Sequence, residues 1–360
     1  MFSKSQRNPY FGGEVFLTFH NLSTASSSKK RIVSILPSAT EIICLLGLEQ
    51  NLVAISHECD YPESIRGRPR VTKPLLDTLS MDSRSIDEGV LSAVKSGAPL
   101  YAIDQDLLER LAPDLVIAQE LCHVCATPFD AVSNAVNKLP ARPELISLAP
   151  HTLENVLEDI RRIGIVTGRT LMASQVIEEL ERRINLVKER CANSVQRVPS
   201  VFCAEWLDPL YNSGHWMPEL VEYAGGVEVM GRPGDPSIPV SLDSVIEKDP
   251  EVILFAVCGY GVERTLRELP SALKTDTRWD KQLAAFRNGR VYVLDGPSYY
   301  NRSGPRLVTG LEILAGLLHP ETFEEEQEYK FPARSVYSLK KREYIRGTAQ
   351  LLFPSMRSQK

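Results

Sequence analysis

Cysteine, histidine and aromatic residues recur directly after the short apolar runs of this sequence. Examples are His57 after residues 52–55, Cys122 after 115–118, Trp206 after 201–204, Cys258 after 252–257 and Tyr299 after 291–294. Short apolar runs of this kind predict buried strands. Because open α/β sheets bind ligands at the carboxyl ends of their strands, we expect these side chains to line one cleft.

The motif Cys122-His123-Val124-Cys125 has C-x-x-C spacing. Such a turn supplies two of the four nitrogen or sulfur ligands that zinc prefers, and His57 and Cys59 could supply the other two. A thiol just before a helix is also the arrangement of redox C-x-x-C motifs. With no second C-x-x-C in the sequence, three interpretations stay open. The thiols pack or contact a ligand, they bind metal together with His57 and Cys59, or they perform redox or nucleophilic chemistry.

The turn around His57, Glu58 and Cys59 combines a base, an acid and a thiol. In an extended segment His57 and Cys59 point to one side and Glu58 points to the other. The sequence pairs no base with a nucleophile here. We therefore predict that these residues line a ligand rather than catalyse a reaction.

Aromatic residues concentrate in the predicted loops of the second half of the chain. Rings there could stack on a large planar ligand, or each could pack in a core. His215 could be an axial ligand of a metal macrocycle or an ordinary loop histidine, and we favour the loop histidine. The predicted ligand-binding residues are thus His57, Glu58, Cys59, Tyr61, Cys122, Cys125, Trp206, Trp216, Cys258, Tyr260, Tyr299, Tyr300 and Arg302.

Composition and charge exclude several classes of protein. The 360-residue chain has 43% hydrophobic residues and a formal net charge of −5, which argues against a general attraction to nucleic acid. The pairs Arg161-Arg162 and Arg182-Arg183 lie among glutamates on predicted helices, so we expect them on solvent-exposed faces. No apolar run of about 18 residues predicts a transmembrane helix.

Other motifs and signals are missing from the sequence. No glycine-rich nucleotide motif and no serine nucleophile elbow follows a predicted strand. The seven cysteines, with no secretory signal recognised, predict reduced thiols. We therefore expect a cytoplasmic or organellar location.

The elements that position these residues follow a strand, helix, strand order. An apolar strand at 32–36, a helix from Ser38 and a strand near 52–55 form a βαβ unit, which predicts a parallel sheet. Ser38 and Glu41 fit a capping box at the start of that helix. A helix, a proline, an acidic residue and a strand recur in order at 107–118 and again at 242–257. This repetition predicts two α/β lobes.

The predicted division of the chain follows from these patterns. Residues 1–30 form a disordered or targeting extension, and residues 31–150 form the first lobe. Residues 151–195 form a long interlobe helix, with a kink or a break near Gly164 and Gly168. Residues 196–320 form the second lobe, and residues 321–360 form a peripheral tail.

Several motifs carry a resemblance to a known family. They are Ile32-Val33-Ser34-Ile35-Leu36-Pro37-Ser38-Ala39-Thr40-Glu41, Asp60-Tyr61-Pro62, Leu111-Ala112-Pro113-Asp114, Asn212-Ser213-Gly214, Ala224-Gly225-Gly226 and Ser303-Gly304-Pro305-Arg306. Over residues 31–319 the chain resembles the substrate-binding proteins of bacterial ABC importers for vitamin B12 and iron-siderophores. It is most similar to a subgroup described as cobalamin-binding, which shares Ser56-His57-Glu58-Cys59-Asp60-Tyr61-Pro62 and Cys122-His123-Val124-Cys125-Ala126.

The resemblance implies a fold and a function. The fold is that of class III substrate-binding proteins, in which two α/β lobes with parallel-type sheets are joined by a long rigid helix. The function is non-catalytic binding of a corrinoid or another large planar metal chelate in the interlobe cleft. The alternative is an intracellular thiol protein of the same fold that binds zinc or iron for redox or hydrolytic chemistry.

The same resemblance sets expectations for partners and location. We expect a small-molecule ligand, a monomer, and an ABC permease as partner if the protein is exported. We expect no nucleic acid partner. A periplasmic location is the alternative that the family implies.

Overall fold

The computed structural model describes residues 30–120, 127–194, 197–274, 276–323, 332 and 334–345. Cys122 and Cys125 therefore lie outside the described residues. The elements of the first lobe are β1 (Ile32–Ser34), α1 (Pro37–Leu45), β2 (Leu52–Ile55), β3 (Thr72–Pro74), α2 (Ser83–Ser96), β4 (Tyr101–Ile103), α3 (Gln105–Leu111), β5 (Leu115–Gln119), α4 (Phe129–Asn137) and β6 (Glu144–Leu148).

The first lobe is built on a parallel sheet in the order β2-β1-β5-β6. The central strands β1 and β5 are apolar and almost fully buried, as expected of parallel strands covered on both faces. Strands β3 and β4 form a separate antiparallel pair that brackets α2. The carboxyl end of β2 leads directly to His57 and Glu58, so the predicted strand exit is present.

Two helices connect the lobes, α5 (Leu153–Val166) and α6 (Thr170–Ser194). The predicted interlobe helix is therefore broken, at Thr167 and Gly168. Gly168 has a φ of +67°, a left-handed conformation that glycine adopts without strain. A Cβ on Gly164 would lie 2.4 Å from the Cβ of Ala173, so only glycine lets the two helices pack this closely.

The second lobe contains more elements than the first. They are β7 (Ser200–Trp206), β8 (Tyr211–Asn212), α7 (Met217–Tyr223), β9 (Val227–Glu228), α8 (Leu242–Lys248), β10 (Val252–Phe255), α9 (Val262–Lys274), α10 (Arg278–Gln282), α11 (Ala284–Asn288), β11 (Val291–Leu294), α12 (Gly296–Tyr299), α13 (Leu307–Leu318), α14 (Pro320–Phe323), β12 (Val336–Ser338) and β13 (Glu343–Tyr344).

The sheet of the second lobe is mixed and has the order β13-β12-β11-β10-β7-β8, with β9 beside β7. Its strands β9, β7, β10 and β11 are parallel, and antiparallel strands extend it on both sides. Part of the predicted tail belongs to this sheet, because β12 pairs with β11 and buries Val336 completely. The expectation of a peripheral tail is wrong for these residues.

The repeated helix, proline, acid and strand unit occurs once in each lobe. The residues that directly follow α3 and α8, Ala112 and Asp249, both have a φ of +39°. A proline follows each of them, which disfavours continuation of the helix and directs the chain into β5 or β10. The lobes therefore place corresponding strands by the same local device.

One of the two basic pairs is not on a solvent-exposed face. The side chain of Arg183 is only 2% exposed, and its guanidinium contacts both carboxylate oxygens of Glu312 on α13 at 2.8 and 2.6 Å. Arg182 does lie outward, paired with Glu179 one turn earlier. The prediction for Arg183 is wrong because its partner is distant in the sequence. Among the residues described, no helix is long and apolar enough to span a bilayer.

Candidate functional site

The two lobes meet at a buried ion pair. Glu41 on α1 accepts two hydrogen bonds from Arg306, from Nε at 2.9 Å and from Nη2 at 2.6 Å. Burial raises the pKa of Glu41, and the Arg306 guanidinium opposes that rise. Two short contacts to a guanidinium fork are the geometry of an ionised carboxylate. Glu41 therefore does not form the predicted capping box with Ser38, because it is turned toward the second lobe.

Aromatic rings flank this pair. The Arg306 guanidinium lies 4.3 Å from the ring centroid of Tyr61 and 5.7 Å from that of Tyr299. A cation over a ring is attracted by the negative face of the π-system. Tyr61 from the first lobe and Tyr299 from the second are therefore held close to one cation, with both rings partly exposed.

A second ion pair lies nearer the surface. Arg302 donates to Asp60 Oδ1 at 2.5 Å, to Asp60 Oδ2 at 3.3 Å and to the backbone oxygen of Glu58 at 3.0 Å. The side chains of Asp60 and Glu58 are 56% and 46% exposed. We call Glu41, Asp60, Tyr61, Arg302 and Arg306 the lobe seam. It fixes the exit of β2 against the segment that precedes α13.

His57 and Cys59 occupy different environments beside the seam. His57 Nδ1 lies 2.7 Å from the hydroxyl of Thr72, and its Nε2 lies 3.5 Å from Glu58 Oε1. Cys59 is only 1% exposed, and its sulfur lies 3.1 Å from the hydroxyl of Thr40. Burial raises the pKa of the Cys59 thiol to about 11, so it is protonated at neutral pH. A protonated thiol is a poor metal ligand and a poor nucleophile.

The predicted metal site is only partly within the described residues. Cys122 and Cys125 lie outside them, so the set His57, Cys59, Cys122 and Cys125 stays a prediction. Within the part of the chain that the structure describes, no three His, Cys, Asp or Glu side chains are grouped to hold a metal ion.

The predicted aromatic contacts divide into packed and partly exposed rings. Trp216 and Tyr300 are buried, and the indole nitrogen of Trp216 donates to the backbone oxygen of Tyr300 at 2.6 Å. Tyr260 is 2% exposed, and its ring lies 5.3 Å from the partly exposed ring of Trp206. Cys258 and Arg302 are partly exposed. Trp206, Tyr299 and Arg302 are therefore the residues of the second lobe best placed to meet a ligand.

A segment of the first lobe reaches across to these rings. Residues 75–100, which we call the bridging segment, leave the β3-β4 pair and carry α2. The indole nitrogen of Trp206 donates to the backbone oxygen of Ser83, the first residue of α2, at 3.2 Å. Sequence reasoning missed this segment and the site residues Glu41 and Arg306. The motifs contained both residues, but no local signal pairs them.

Two histidines meet where the connecting helix α5 packs on the second lobe. The rings of His151, before α5, and His215, before α7, have centroids 5.6 Å apart. Burial and the neighbouring His151 lower the pKa of His215. The Glu219 carboxylate lies at the same junction and accepts from the backbone nitrogen of Leu153 at 2.7 Å.

We expect this junction to weaken in acid. Because the pKa of His215 is lower in the folded than in the unfolded protein, the unfolded chain takes up the proton first, and the free energy of unfolding falls as the pH drops below about 6.5. His215→Asn, which tolerates the φ of +52° found there, should reduce this fall. Denaturant midpoints of the wild type and the variant at pH 7.5 and 5.5 measure this fall in the free energy of unfolding. Identical pH profiles of the two proteins would contradict the assignment, since His319, whose pKa burial also lowers, titrates in both.

Comparison with known proteins gives consistent matches across most of the chain. The sequence profile of a family described as periplasmic binding protein matches residues 32–297. The ABC transporter substrate-binding lipoprotein YvrC of Bacillus subtilis is 25% identical over 310 residues, covering 84% of each chain. The vitamin B12-binding protein of Vibrio parahaemolyticus is 23% identical and covers 82% of this chain and 91% of its own length.

Solved structures confirm the predicted fold. The periplasmic vitamin B12-binding protein BtuF of Vibrio cholerae matches with a TM-score of 0.59 and 21% identity, covering 82% of this chain and 98% of that one. A periplasmic heme-binding protein of Pseudomonas aeruginosa matches with a TM-score of 0.61 and 19% identity, covering 81% and 93%. All four of these proteins are named as substrate-binding or ligand-binding proteins.

These matches also correct the expected location. A cytoplasmic or organellar protein was expected, and this expectation is wrong. The matching family is described as periplasmic, and the relatives include a substrate-binding lipoprotein and periplasmic proteins. These descriptions indicate a location outside the cytoplasm.

Proposed function

Since the chain belongs to the periplasmic binding protein family, we propose that it is a substrate-binding protein for a corrinoid or another large planar metal chelate. The ligand lies between the lobes, and the protein presents it to an ABC importer outside the cytoplasm. Binding is non-covalent and involves no catalysis. Relatives named for vitamin B12 and for heme support this ligand class.

The observation that carries the proposal is the juxtaposition of strand-end residues from both lobes at the lobe seam. Glu58 and Tyr61 follow β2, while Tyr299 and Arg302 follow β11, and all four are partly or well exposed. The Asp60–Arg302 pair joins these two loops, and the Glu41–Arg306 pair joins α1 to the segment that precedes α13. Ligand pockets of this kind combine aromatic surface with a few charged groups that fix orientation.

The arrangement of the reactive side chains supports binding rather than chemistry. His57 Nδ1 contacts the hydroxyl of Thr72, itself only 4% exposed, and no nucleophile contacts the other ring nitrogen in the described residues. The thiol of Cys59 is enclosed and protonated. A base and a nucleophile within hydrogen-bond reach would be needed for covalent catalysis.

Isothermal calorimetry and visible absorption test the proposal with aquocobalamin, hemin and a ferric tris-catecholate. One of them should bind in a 1:1 complex, with a shift of its absorption band. The absence of heat and of spectral change with all three would reject the ligand class.

Tyr299→Ala should weaken binding of that chelate by about 10-fold, because an aromatic contact at the centre of a site contributes roughly 1–2 kcal/mol. Titration calorimetry of both proteins measures the change. Tyr337→Ala, at a partly exposed tyrosine on β12, is the matched control and should leave the affinity unchanged. Equal affinities of wild type and Tyr299→Ala would remove Tyr299 from the site.

A further inference from the structure

The bridging segment belongs to the first lobe by sequence and packs on the second lobe. It leaves and re-enters the first lobe through paired strands, with Pro74 opposite Tyr101. Beyond that pair the backbone nitrogen of Leu75 still donates to the oxygen of Leu100 at 2.9 Å. The segment is therefore held to its own lobe at its base, and its body is free to pack elsewhere.

The first turn of α2 is bound by polar groups of the second lobe. The backbone nitrogen of Ser83 donates to the Glu268 carboxylate at 2.9 Å. The amino end of a helix carries unpaired N–H groups and a partial positive charge, so a carboxylate there is favourable. Asp82 caps the same turn from within the segment, accepting from Ser85 at 2.8 Å.

The loop before α2 is bound by one arginine. Arg264 donates from Nη2 to the backbone oxygens of Thr78 at 2.6 Å and Met81 at 3.0 Å. Its guanidinium lies 3.7 Å from the ring centroid of Tyr260, and its Nε lies 3.3 Å from Glu268 Oε1. Arg264 and Glu268, one turn apart on α9, thus form a single receptor for the segment.

Apolar and exposed contacts complete the attachment. Ile86 is 7% exposed and packs in the core cluster of the second lobe. Arg84 pairs with Asp208 at 2.9 Å, and the hydroxyl of Tyr211 donates to Asp87 at 3.2 Å. The Arg84 pair is exposed, whereas the other polar links are partly buried. Only Ser83 and Ile86 of α2 are buried, and a segment with so few buried contacts opens at a lower free energy than the core, so the attachment is reversible.

We propose that the bridging segment is a reversible cover over the second-lobe side of the ligand site, held closed by Arg264 and Glu268. This inference rests on the proposed ligand-binding function. In the docked state Tyr260 is enclosed and the indole nitrogen of Trp206 is bonded to Ser83, while the rest of the Trp206 ring stays partly exposed. A planar ligand therefore reaches Tyr260 and the nitrogen-bearing edge of Trp206 only after the segment moves away. The cover thereby controls the rate of ligand entry.

Hydrogen–deuterium exchange tests the docking without any ligand. Arg264→Ala should accelerate exchange of the α2 amides by about 10-fold, because it removes both contacts to Thr78 and Met81. Arg267→Ala, at an exposed arginine on the same helix, is the matched control and should leave exchange unchanged. Exchange in β1 should be unchanged in both variants. Wild-type exchange of α2 in Arg264→Ala and in Glu268→Ala would overturn the proposal.

Stopped-flow absorption tests the covering role with aquocobalamin, hemin and the ferric catecholate as probes. Arg264→Ala should increase the association rate constant of the chelate that binds by about 10-fold. A second variant replaces residues 76–99 by Asn-Gly, which closes the strands at Leu75 and Leu100 as a two-residue hairpin. This second variant should bind the chelate at least as fast as Arg264→Ala does. Unchanged association in both variants would overturn the covering role.

Failure of the proposed ligand-binding function and failure of the covering role give different results. If no probe binds the wild type, the proposed function fails and the covering role fails with it. The exchange experiment still reports whether Arg264 and Glu268 hold the segment on the second lobe.

Discussion

Replacing Arg306 with methionine is expected to lower the free energy of unfolding by about 3–5 kcal/mol. The substitution leaves Glu41, which is 1% exposed, buried without the guanidinium that donates two hydrogen bonds to it. It also removes the guanidinium that lies 4.3 Å from the ring of Tyr61. Urea unfolding followed by circular dichroism measures the loss.

Two further variants test whether the buried charge of Glu41 causes this loss of stability. Arg302→Met breaks the neighbouring pair, but Asp60 is 56% exposed and stays hydrated, so the loss should be about 1 kcal/mol or less. The double variant Glu41→Leu/Arg306→Met removes both buried charges and should recover most of the stability. Equal losses for Arg302→Met and Arg306→Met would show that burial of Glu41 is not the cause.

Arg183→Met is expected to have an effect of the same size, about 3–5 kcal/mol, at the centre of the second lobe's contact with α6. The guanidinium of Arg183 contacts Glu312 at 2.6 and 2.8 Å and the hydroxyl of Thr309 at 3.0 Å, and Glu312 is only 4% exposed. Without Arg183 the buried carboxylate loses both of its guanidinium contacts. Thermal unfolding measured by calorimetry gives the change.

The adjacent residue provides the control. Arg182 pairs with Glu179 on the exposed side of α6, and its side chain is 47% exposed. Arg182→Met should therefore lower the free energy of unfolding by about 0.5 kcal/mol or less. A large loss in Arg182→Met would mean that helix propensity, rather than the buried pair, determines both results.

The architecture could be predicted because its signals are local. The apolar runs that begin at 32, 115 and 252 form the strands β1, β5 and β10, and the proline after Ala112 and after Asp249 ends a helix just before a strand. Two lobes and a connecting helical tract follow from such patterns. The break at Gly168 also follows from residue type, although the sequence did not distinguish a break from a kink.

The lobe seam could not be predicted, because its partners lie far apart in the chain. Glu41 and Arg306 are separated by 265 positions, and Ser38 three residues before Glu41 gave a plausible local partner instead. Arg183 posed the same problem, since the glutamates near it suggested a solvent-exposed face. For a charged residue, local sequence indicates an exposed helix face by default, and only tertiary packing reveals the exception.

The aromatic residues at strand ends show a second limit of prediction from sequence. Trp216, Tyr260 and Tyr300 lie at or after strand ends like Trp206 and Tyr299, yet the first three are buried and the last two are partly exposed. An aromatic residue at a strand exit suits both a core and a ligand site. Tyr260 packs in the core cluster that also contains Ile86 of the bridging segment. The helix of that segment has local signals at Asp82 and Gly97, but its docking surface has none.

The lobe seam has a consequence for folding kinetics. Each lobe is one continuous stretch of chain, whereas the seam contacts join residues 242 and 265 positions apart. Because closing so long a loop is entropically costly until each lobe has folded, we expect the seam to form late in folding. Contacts that form late slow unfolding without accelerating folding. We therefore expect Glu41 and Arg306 to act mainly on the unfolding rate, and so on how long the folded protein persists.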